Sequence, residues 1–294
     1  MAAVVLTRHP AVAPASEYDR VRVTSTGHAH NPIISPDGRQ VAYLDRECPD
    51  TGACRTRIVV QDVATGAQRT IADSVSGVLL ERWSPSGSWL RLLSFSSWKP
   101  FGEYVVPSFG GPMTYVTAGA FDFFPTGDTM LVASTFDVRK GQATPLRRIA
   151  LPANQPLDSV TIAPPRGAVS LAYFVIAPNG RTLAVVWQRA HQEMVLTIYD
   201  RAGAVRDTAS IPPAYEGFSW SPASDALFLT ALSRDNRRAV LRIAVNSTSG
   251  RFGSRDTLMV APGEEDLGNF DLSANGRAST SISSRLAKEE AGVS

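Results

Sequence analysis

The sequence of 294 residues predicts an all-β fold, a six-bladed β-propeller of four-stranded antiparallel blades. Two observations predict it: a turn sequence that occurs six times, and apolar residues that alternate on both sides of each turn. A period of two is typical of β-strands, and repeats of about 40 to 50 residues with several strands each are typical of propellers. We therefore expect residues 1–294 to form a single propeller domain.

Each repeat contains a four-residue turn related to Ser-Pro-Asp-Gly. Proline fixes φ at the second position, Asp or Asn suits the third, and glycine accepts the positive φ of the fourth. The six turns are Ser35–Gly38, Ser84–Gly87, Phe124–Gly127, Ala177–Gly180, Ser221–Ser224 and Ser273–Gly276. Such a turn joins two antiparallel strands, so each one is predicted to connect the first two strands of a blade.

The flanks of the turns repeat as well. The residue directly before each turn is apolar: Ile34, Trp83, Phe123, Ile176, Trp220 and Leu272. A second hairpin, clearest over 57–71, brings most units to four strands. The last unit has room only for a strand at 278–284, so strands at 3–7 and 18–25 are predicted to complete it and close the ring. Residues 285–294 are expected to be a tail.

Composition limits the partners of the chain. Its formal net charge is +2, and its arginines are scattered among acidic residues. Nucleic-acid binding requires a concentrated basic face, so no nucleic-acid partner is expected. No apolar stretch approaches the length of about 18 residues that a membrane helix needs, which predicts no membrane span.

The two cysteines bear on the compartment. Cys48 and Cys54 are separated by a segment containing Pro-Asp-Thr-Gly, which lets the chain reverse and makes a local disulfide feasible; two free thiols are the alternative. A disulfide persists in oxidising compartments, which favours an extracytoplasmic location, in the periplasm or cell envelope. The segment Met1–Pro10 has no signal-peptide pattern, so a cytoplasmic location stays open.

The repeat resembles a known family. Arg39-Gln-Val-Ala-Tyr43 after the first turn, and the later turn Asp62-Val-Ala-Thr-Gly66, resemble the WD-like repeat of bacterial TolB-like β-propellers. The resemblance implies a six-bladed propeller, often extracytoplasmic, that binds protein or peptide partners. The additional α/β domain of TolB has no counterpart in this chain. Similar propellers are appended to bacterial Ser/Thr kinases as sensors and to prolyl-oligopeptidase-type hydrolases as gates, so the resemblance leaves function open.

Motifs for catalysis are missing from the sequence. It contains no Gly-x-Ser-x-Gly elbow, kinase glycine-rich loop or phosphate-binding P-loop. His28 and His30 have same-face spacing on a strand, but a metal site would need a third ligand that the sequence does not indicate. We therefore expect a protein that is not an enzyme and has no cofactor and no metal.

The candidate site is the central channel, which the first strand of each blade lines. The position two residues before each turn carries Ile33, Arg82, Asp122, Val175, Ser219 and Asp271. The charged members could form a ring near the axis that binds a ligand; alternatively, they satisfy backbone groups and one another across adjacent blades. The predicted ligand-binding residues at the channel mouth are Arg82, Asp122, Asp271, Ser219, His30 and Glu216.

Three functions are compatible with these patterns. The first is a non-catalytic binding and scaffold module for a protein, peptide or small ligand. The second is the sensor or gating propeller of a longer, membrane-anchored Ser/Thr kinase or prolyl-oligopeptidase-type protein, which a longer reading frame would reveal. The third is a metal-dependent propeller hydrolase, which stoichiometric Ca or Zn in the purified protein would support.

Overall fold

The structure is a computed structural model. It describes residues 2–8, 19–22, 24, 28–95, 100–135, 142–212, 215–232, 238–260, 266–267, 271–272 and 278–284. Side chains are described within 24, 28–95, 100–135, 142–212, 218–231, 239–258 and 260. The predicted tail 285–294 and the predicted turn Ser273–Gly276 lie outside the described residues.

Strands make up nearly all of the regular structure in these ranges, beside one 3₁₀ turn at Ala190–Gln192. The strands are β1 (Ala2–Arg8), β2 (Asp19–Arg22), β3 (Ala29–Ile34), β4 (Gln40–Glu47), β5 (Arg55–Asp62), β6 (Gln68–Ala72), β7 (Val78–Trp83), β8 (Trp89–Ser94), β9 (Gly102–Pro107), β10 (Thr114–Thr117), β11 (Phe121–Phe123), β12 (Thr129–Ala133), β13 (Thr144–Ala150), β14 (Gln155–Ile162), β15 (Ala168–Ile176), β16 (Thr182–Arg189), β17 (Met194–Asp200), β18 (Val205–Ile211), β19 (Tyr215–Trp220), β20 (Ala226–Leu232), β21 (Arg238–Val245), β22 (Phe252–Val260), β23 (Asp266–Leu267), β24 (Asp271–Leu272) and β25 (Ala278–Ser284). In the parts of the chain that are described, no helix has the length and apolar character needed to cross a membrane.

Consecutive strands assemble into antiparallel blades. Five sheets have four strands each, and we number them blades 1 to 5: β3–β6, β7–β10, β11–β14, β15–β18 and β19–β22. The predicted all-β propeller of four-stranded antiparallel blades is confirmed. The number of regular four-stranded blades differs from the prediction: within the described ranges it is five and not six.

The remaining strands form a sixth, irregular sheet. Its order is β2–β1–β25–β23, with β24 also paired to β25. The pairing of β1 with β25 runs from Ala2 opposite Ser284 to Arg8 opposite Ala278, so N-terminal strands close the last sheet as predicted. The sheet differs from the regular blades because two-residue strands, β23 and β24, share the edge that one continuous strand occupies elsewhere. Serines and a threonine in β25 stand where the other blades carry Val and Leu, which leaves less apolar surface to bury.

The repeated turns fold as their residue types require. The Gly38 N–H donates to the carbonyl of Ser35 at 2.9 Å, and Gly87 and Ser84 repeat this bond at 2.9 Å. Gly38 has a φ of 73°, which is the left-handed region that a side chain disfavours. The Ser35 hydroxyl also accepts the N–H of Gln40 at 2.8 Å. The serine at the first turn position therefore fixes the start of the second strand, a role that the proline and glycine alone do not reveal.

Tryptophans directly before the turns join neighbouring blades. The indole N–H of Trp83 in blade 2 donates to the carbonyl of Ile33 in blade 1 at 3.2 Å. Trp220 in blade 5 makes the same bond to Val175 in blade 4, also at 3.2 Å. Both tryptophans are buried, and their acceptors occupy the same repeat position. Each ring therefore packs between two blades while its single polar group is satisfied.

Candidate functional site

The first strand of each blade lies at the inner edge of its sheet. Contacts join β3 with β7, β11 with β15, β15 with β19, β19 with β24 and β24 with β3, and an ion pair between Arg82 and Asp122 joins β7 to β11. They therefore surround a central channel. We call the end of the propeller that carries the turns at 35–38, 84–87, 124–127, 177–180 and 221–224 the turn face. The predicted ring residues two positions before these turns lie close to that face.

Arg82 and Asp122 form an ion pair at the channel. Arg82 Nη1 lies 3.2 Å from each carboxylate oxygen of Asp122, and Arg82 Nη2 donates to the carbonyl of Phe218 at 2.9 Å. The Asp122 carboxylate also accepts the N–H of Ile176 at 2.7 Å. The Asp122 side chain is fully buried, whereas that of Arg82 is 18% exposed.

This pair connects four blades. Arg82 belongs to blade 2, Asp122 to blade 3, Ile176 to blade 4 and Phe218 to blade 5. The bond from Arg82 to Phe218 reaches a sheet three places further along the ring. That bond thus joins the inner strands of blades 2 and 5, which are not neighbours in the ring. Because both ends of the pair are hydrogen-bonded, the buried charges are compensated.

A second charged cluster lies beside this pair. The Arg91 side chain is completely buried, with Nη2 lying 2.7 Å from a Glu103 oxygen and 2.8 Å from a Glu81 oxygen. Its guanidinium carbon is 4.7 Å from the centre of the Phe121 ring and 5.0 Å from that of Tyr173. Arg91 therefore links three strands of blade 2 to the inner strands of blades 3 and 4, through ion pairs and cation–π contacts.

Electrostatics in this cluster favour a bound proton. Burial raises the pKa of Glu103 to about 8; the Arg91 guanidinium opposes this shift, and the neighbouring Glu81 carboxylate adds to it. Burial likewise raises the pKa of the Tyr173 hydroxyl. One guanidinium faces two carboxylates, and among the described residues Arg91 Nη1 has no hydrogen-bond partner. The cluster thus takes up a proton as the pH falls below about 8.

The structure brings together only some of the predicted site residues. Arg82 and Asp122 meet, and their geometry matches the alternative in which ring residues bind one another and backbone groups. Ser219 is a buried residue of β19. Glu216 and Asp271 lie on β19 and β24, with side chains outside the described residues.

His30 is placed apart from the pair. It lies near the start of β3, at the end opposite the turn, and so not beside Arg82. Burial is the main cause that lowers its pKa, and its Nδ1 is 3.4 Å from the carbonyl of His28. Across the described ranges, no three His, Cys, Asp or Glu side chains are grouped in a way that could hold a metal ion.

Sequence reasoning missed Arg91 and Glu103. Arg91 stands in the strand Trp-Leu-Arg-Leu-Leu, and Glu103 precedes Tyr-Val-Val in the neighbouring strand. A charged residue inside an apolar strand is a usable signal, because a buried charge is retained only with a partner. The opposite signs of these two charges on consecutive strands would have indicated the pair.

The cysteines are joined. Cys48 and Cys54 form a disulfide with their Cα atoms 4.1 Å apart. It lies in the exposed connection between β4 and β5, at the end of the propeller opposite the turn face.

Comparison with known proteins identifies the fold. No family model matches the chain, and no curated protein matches it. Among solved structures, a putative TolB from Agrobacterium tumefaciens aligns with a TM-score of 0.60 and 14% identity, over 96% of this chain and 97% of that one. TolB from Acinetobacter baumannii aligns with a TM-score of 0.56 and 16% identity, over 96% of this chain. The fold is that of the TolB-like propellers.

The similarity to TolB concerns the fold. The chain spans 64% of the length of TolB from Acinetobacter baumannii. An oligogalacturonate lyase in complex with manganese also aligns, with a TM-score of 0.56 and 10% identity, over 79% of this chain and 70% of that one. Because an enzyme shares the architecture, the TolB-like fold alone does not distinguish binding from catalysis.

Proposed function

We propose that this TolB-like propeller is a non-catalytic binding and scaffold module that recognises a protein or peptide partner on its turn face, around the mouth of the channel. The observation that supports this proposal is the bridge from Arg82 and Asp122 to the backbone of Phe218 and Ile176. It fixes the inner strands of four blades before any partner arrives. A preformed surface loses little conformational entropy on binding, and this favours affinity.

The same bridge favours a partner that lies across the face over one that enters the channel. Arg82 extends from blade 2 to the carbonyl of Phe218 in blade 5, so its side chain spans the channel between these two blades. A protein or peptide that covers the mouth can contact the exposed part of Arg82 and the surrounding turns. A small ligand that must pass along the channel would first have to break this bond.

Site-specific photo-crosslinking tests the proposal. A photoreactive amino acid would replace Pro85, an exposed residue of the blade 2 turn, and in a matched control Thr51, an exposed residue at the opposite end. In a native cell-envelope extract, we expect one defined adduct from the Pro85 position and none from Thr51. Absence of an adduct at Pro85, or the same adducts from both positions, would contradict recognition by the turn face.

We also propose an extracytoplasmic location for the protein. The disulfide between Cys48 and Cys54 supports it, because cytosolic thiols are kept reduced in most organisms. The redox state of the two cysteines in the protein isolated from its native cells provides the test.

A further inference from the structure

An open basin of about 610 Å³ lies on the turn face between blades 4 and 5. On one side it is lined by Asn179 of the blade 4 turn, by Arg181 and Thr182, which follow that turn, and by the hairpin that follows β17. On the other side it is lined by 247–250, the hairpin that joins β21 to β22. Its volume lies within the range of about 300 to 1,000 Å³ typical of ligand sites, but its lining is rich in charged and hydroxyl groups.

Contacts between the two blades hold the walls of the basin in place. The Asn179 N–H donates to the Ser224 hydroxyl at 3.0 Å, and the Phe252 N–H donates to the Asp207 carboxylate at 2.9 Å. Gly250 has a φ of 72°, and a Cβ there would lie 2.8 Å from the Cβ of Arg206. Only glycine permits this approach of the blade 5 hairpin to blade 4. The basin is therefore a preformed feature of the fold.

The lining carries an excess of positive charge. It contains Arg181, Arg201 and Arg206, and Asp200 is the one carboxylate among the described residues that line it. That carboxylate is already engaged: it accepts the N–H of Ala204 at 2.9 Å and pairs with Arg206 at 2.6 Å. Burial raises the pKa of Asp200, but these bonds lower it by more, so the side chain stays ionised. Arg206 and Asp200 thus compensate each other's charge, and the positive charges of Arg181 and Arg201 have no such partner within the described lining.

Arg181 and Arg201 are the available cations. Both are exposed, and no carboxylate among the described residues lies within ion-pair distance of either guanidinium. Thr182, Ser247 and Thr248 also line the basin, and their hydroxyls have no hydrogen-bond partner among the described side chains and backbone. The site therefore offers two guanidinium groups for carboxylates, and hydroxyls that can bind the N–H and C=O groups of a peptide.

We propose that this basin binds an acidic segment of a polypeptide partner, with Arg181 and Arg201 pairing with its carboxylates. This inference rests on the proposed function, since it assigns a chemistry to one part of the turn face. An isolated anion in so open a site gains little, because exposed ion pairs are weak and screened by salt. A chain that carries several carboxylates binds better, because the first contact raises the effective concentration of the next.

Fluorescence anisotropy with a labelled peptide of alternating Asp and Gly tests the inference. The basin variant is Arg181→Gln/Arg201→Gln. The matched control is Arg166→Gln/Arg255→Gln, which removes the same charge from two exposed arginines outside the basin. We expect Kd for the basin variant to rise about tenfold or more over the wild type, with little change in the control. The Asn–Gly counterpart of the peptide should not bind.

Three results would overturn the inference. These are no binding of the Asp–Gly peptide to the wild-type protein, equal weakening in both double variants, and displacement of the peptide by inorganic phosphate at comparable carboxylate and phosphate concentrations. The last would indicate a site for a free anion. Pro85 lies in blade 2 and outside the basin, so crosslinking from this position tests the proposed function independently of the acidic-segment inference. If the Pro85 adduct forms but the peptide does not bind, only the acidic-segment inference fails.

Discussion

Replacing Asp122 with asparagine measures how strongly the charged pair at the channel stabilises the fold. The variant keeps an oxygen that can accept the N–H of Ile176 but loses the negative charge that faces Arg82. Removing one partner of a buried ion pair costs about 3–5 kcal/mol, and a hydrogen bond to a charged group contributes about 1.5–3 kcal/mol. Because the Arg82 side chain is 18% exposed, water solvates part of the stranded cation. We therefore expect a loss of about 2–3 kcal/mol.

Urea denaturation followed by tryptophan fluorescence gives the free energy of unfolding directly. With an m-value of about 3 kcal/mol/M, the expected loss lowers the midpoint by about 0.7 to 1 M urea. Asp158→Asn is the control, because Asp158 is 57% exposed in its pair with Arg148, and exposed pairs contribute about 1 kcal/mol at most.

Two results would refute the structural role of the pair. The first is a midpoint for Asp122→Asn that falls no further than that for Asp158→Asn. The second comes from a double-mutant cycle with Arg82→Met: if the two substitutions add without coupling, the ion pair is not the origin of the loss. In either case the alternative regains support, namely that Asp122 is held in place for a ligand.

Glu103, Trp220 and the two cysteines each allow a separate test. The Glu103 carboxyl has a raised pKa, so the native state keeps a proton that the unfolded state loses, and the free energy of unfolding should fall as the pH rises from 4.5 to about 8. In urea titrations at several pH values, Glu103→Gln should remove this pH dependence. An unchanged pH dependence in the variant would contradict the role of Glu103. Trp220→Phe keeps an aromatic ring between the blades but removes the indole N–H that donates to the Val175 carbonyl. The free energy of unfolding should fall by at least about 1–2 kcal/mol. An unchanged urea midpoint would show that the bond contributes nothing. Mass spectrometry of the alkylated, unreduced protein from native cells should find Cys48 and Cys54 linked and unlabelled; labelling of both thiols would argue against an oxidising compartment.

The blades were predictable from the sequence because their signals are local. The turn residues from Ser35 to Gly38 fix their own backbone angles, and alternation along each strand sets which side chains are buried. The closing pair of β1 with β25 followed from counting strands in the last unit. The pairing of two short strands, β23 and β24, with β25 was not foreseen, because the repeat alone predicts one strand at that edge.

The contacts of the candidate site were much harder to predict. The composition of the ring marked Arg82 and Asp122 as polar residues near the axis, but their partners lie far away in sequence: Phe218 is 136 residues from Arg82. Which residue faces which across the channel depends on the size and tilt of the ring, which no local pattern encodes. Arg181 and Arg201 flank the paired strands β16 and β17 of blade 4, but the basin that they line forms only when the 247–250 hairpin of blade 5 packs beside them.

The two groups of charges differ in what they leave free for a partner. In a repeat architecture each unit normally contacts only its neighbours, so the Arg82–Asp122 bridge and the Arg91 cluster add connections between inner strands that the sheets cannot supply. Their charged groups are engaged in that role, since Arg82 faces Asp122 and Arg91 faces Glu81 and Glu103 inside the protein. On the turn face beyond the axis, Arg206 pairs with Asp200, while no carboxylate in the described ranges pairs with Arg181 or Arg201. A recognition surface needs charges that are held in position but not yet neutralised, and in the described residues the basin between blades 4 and 5 meets that condition better than the channel does.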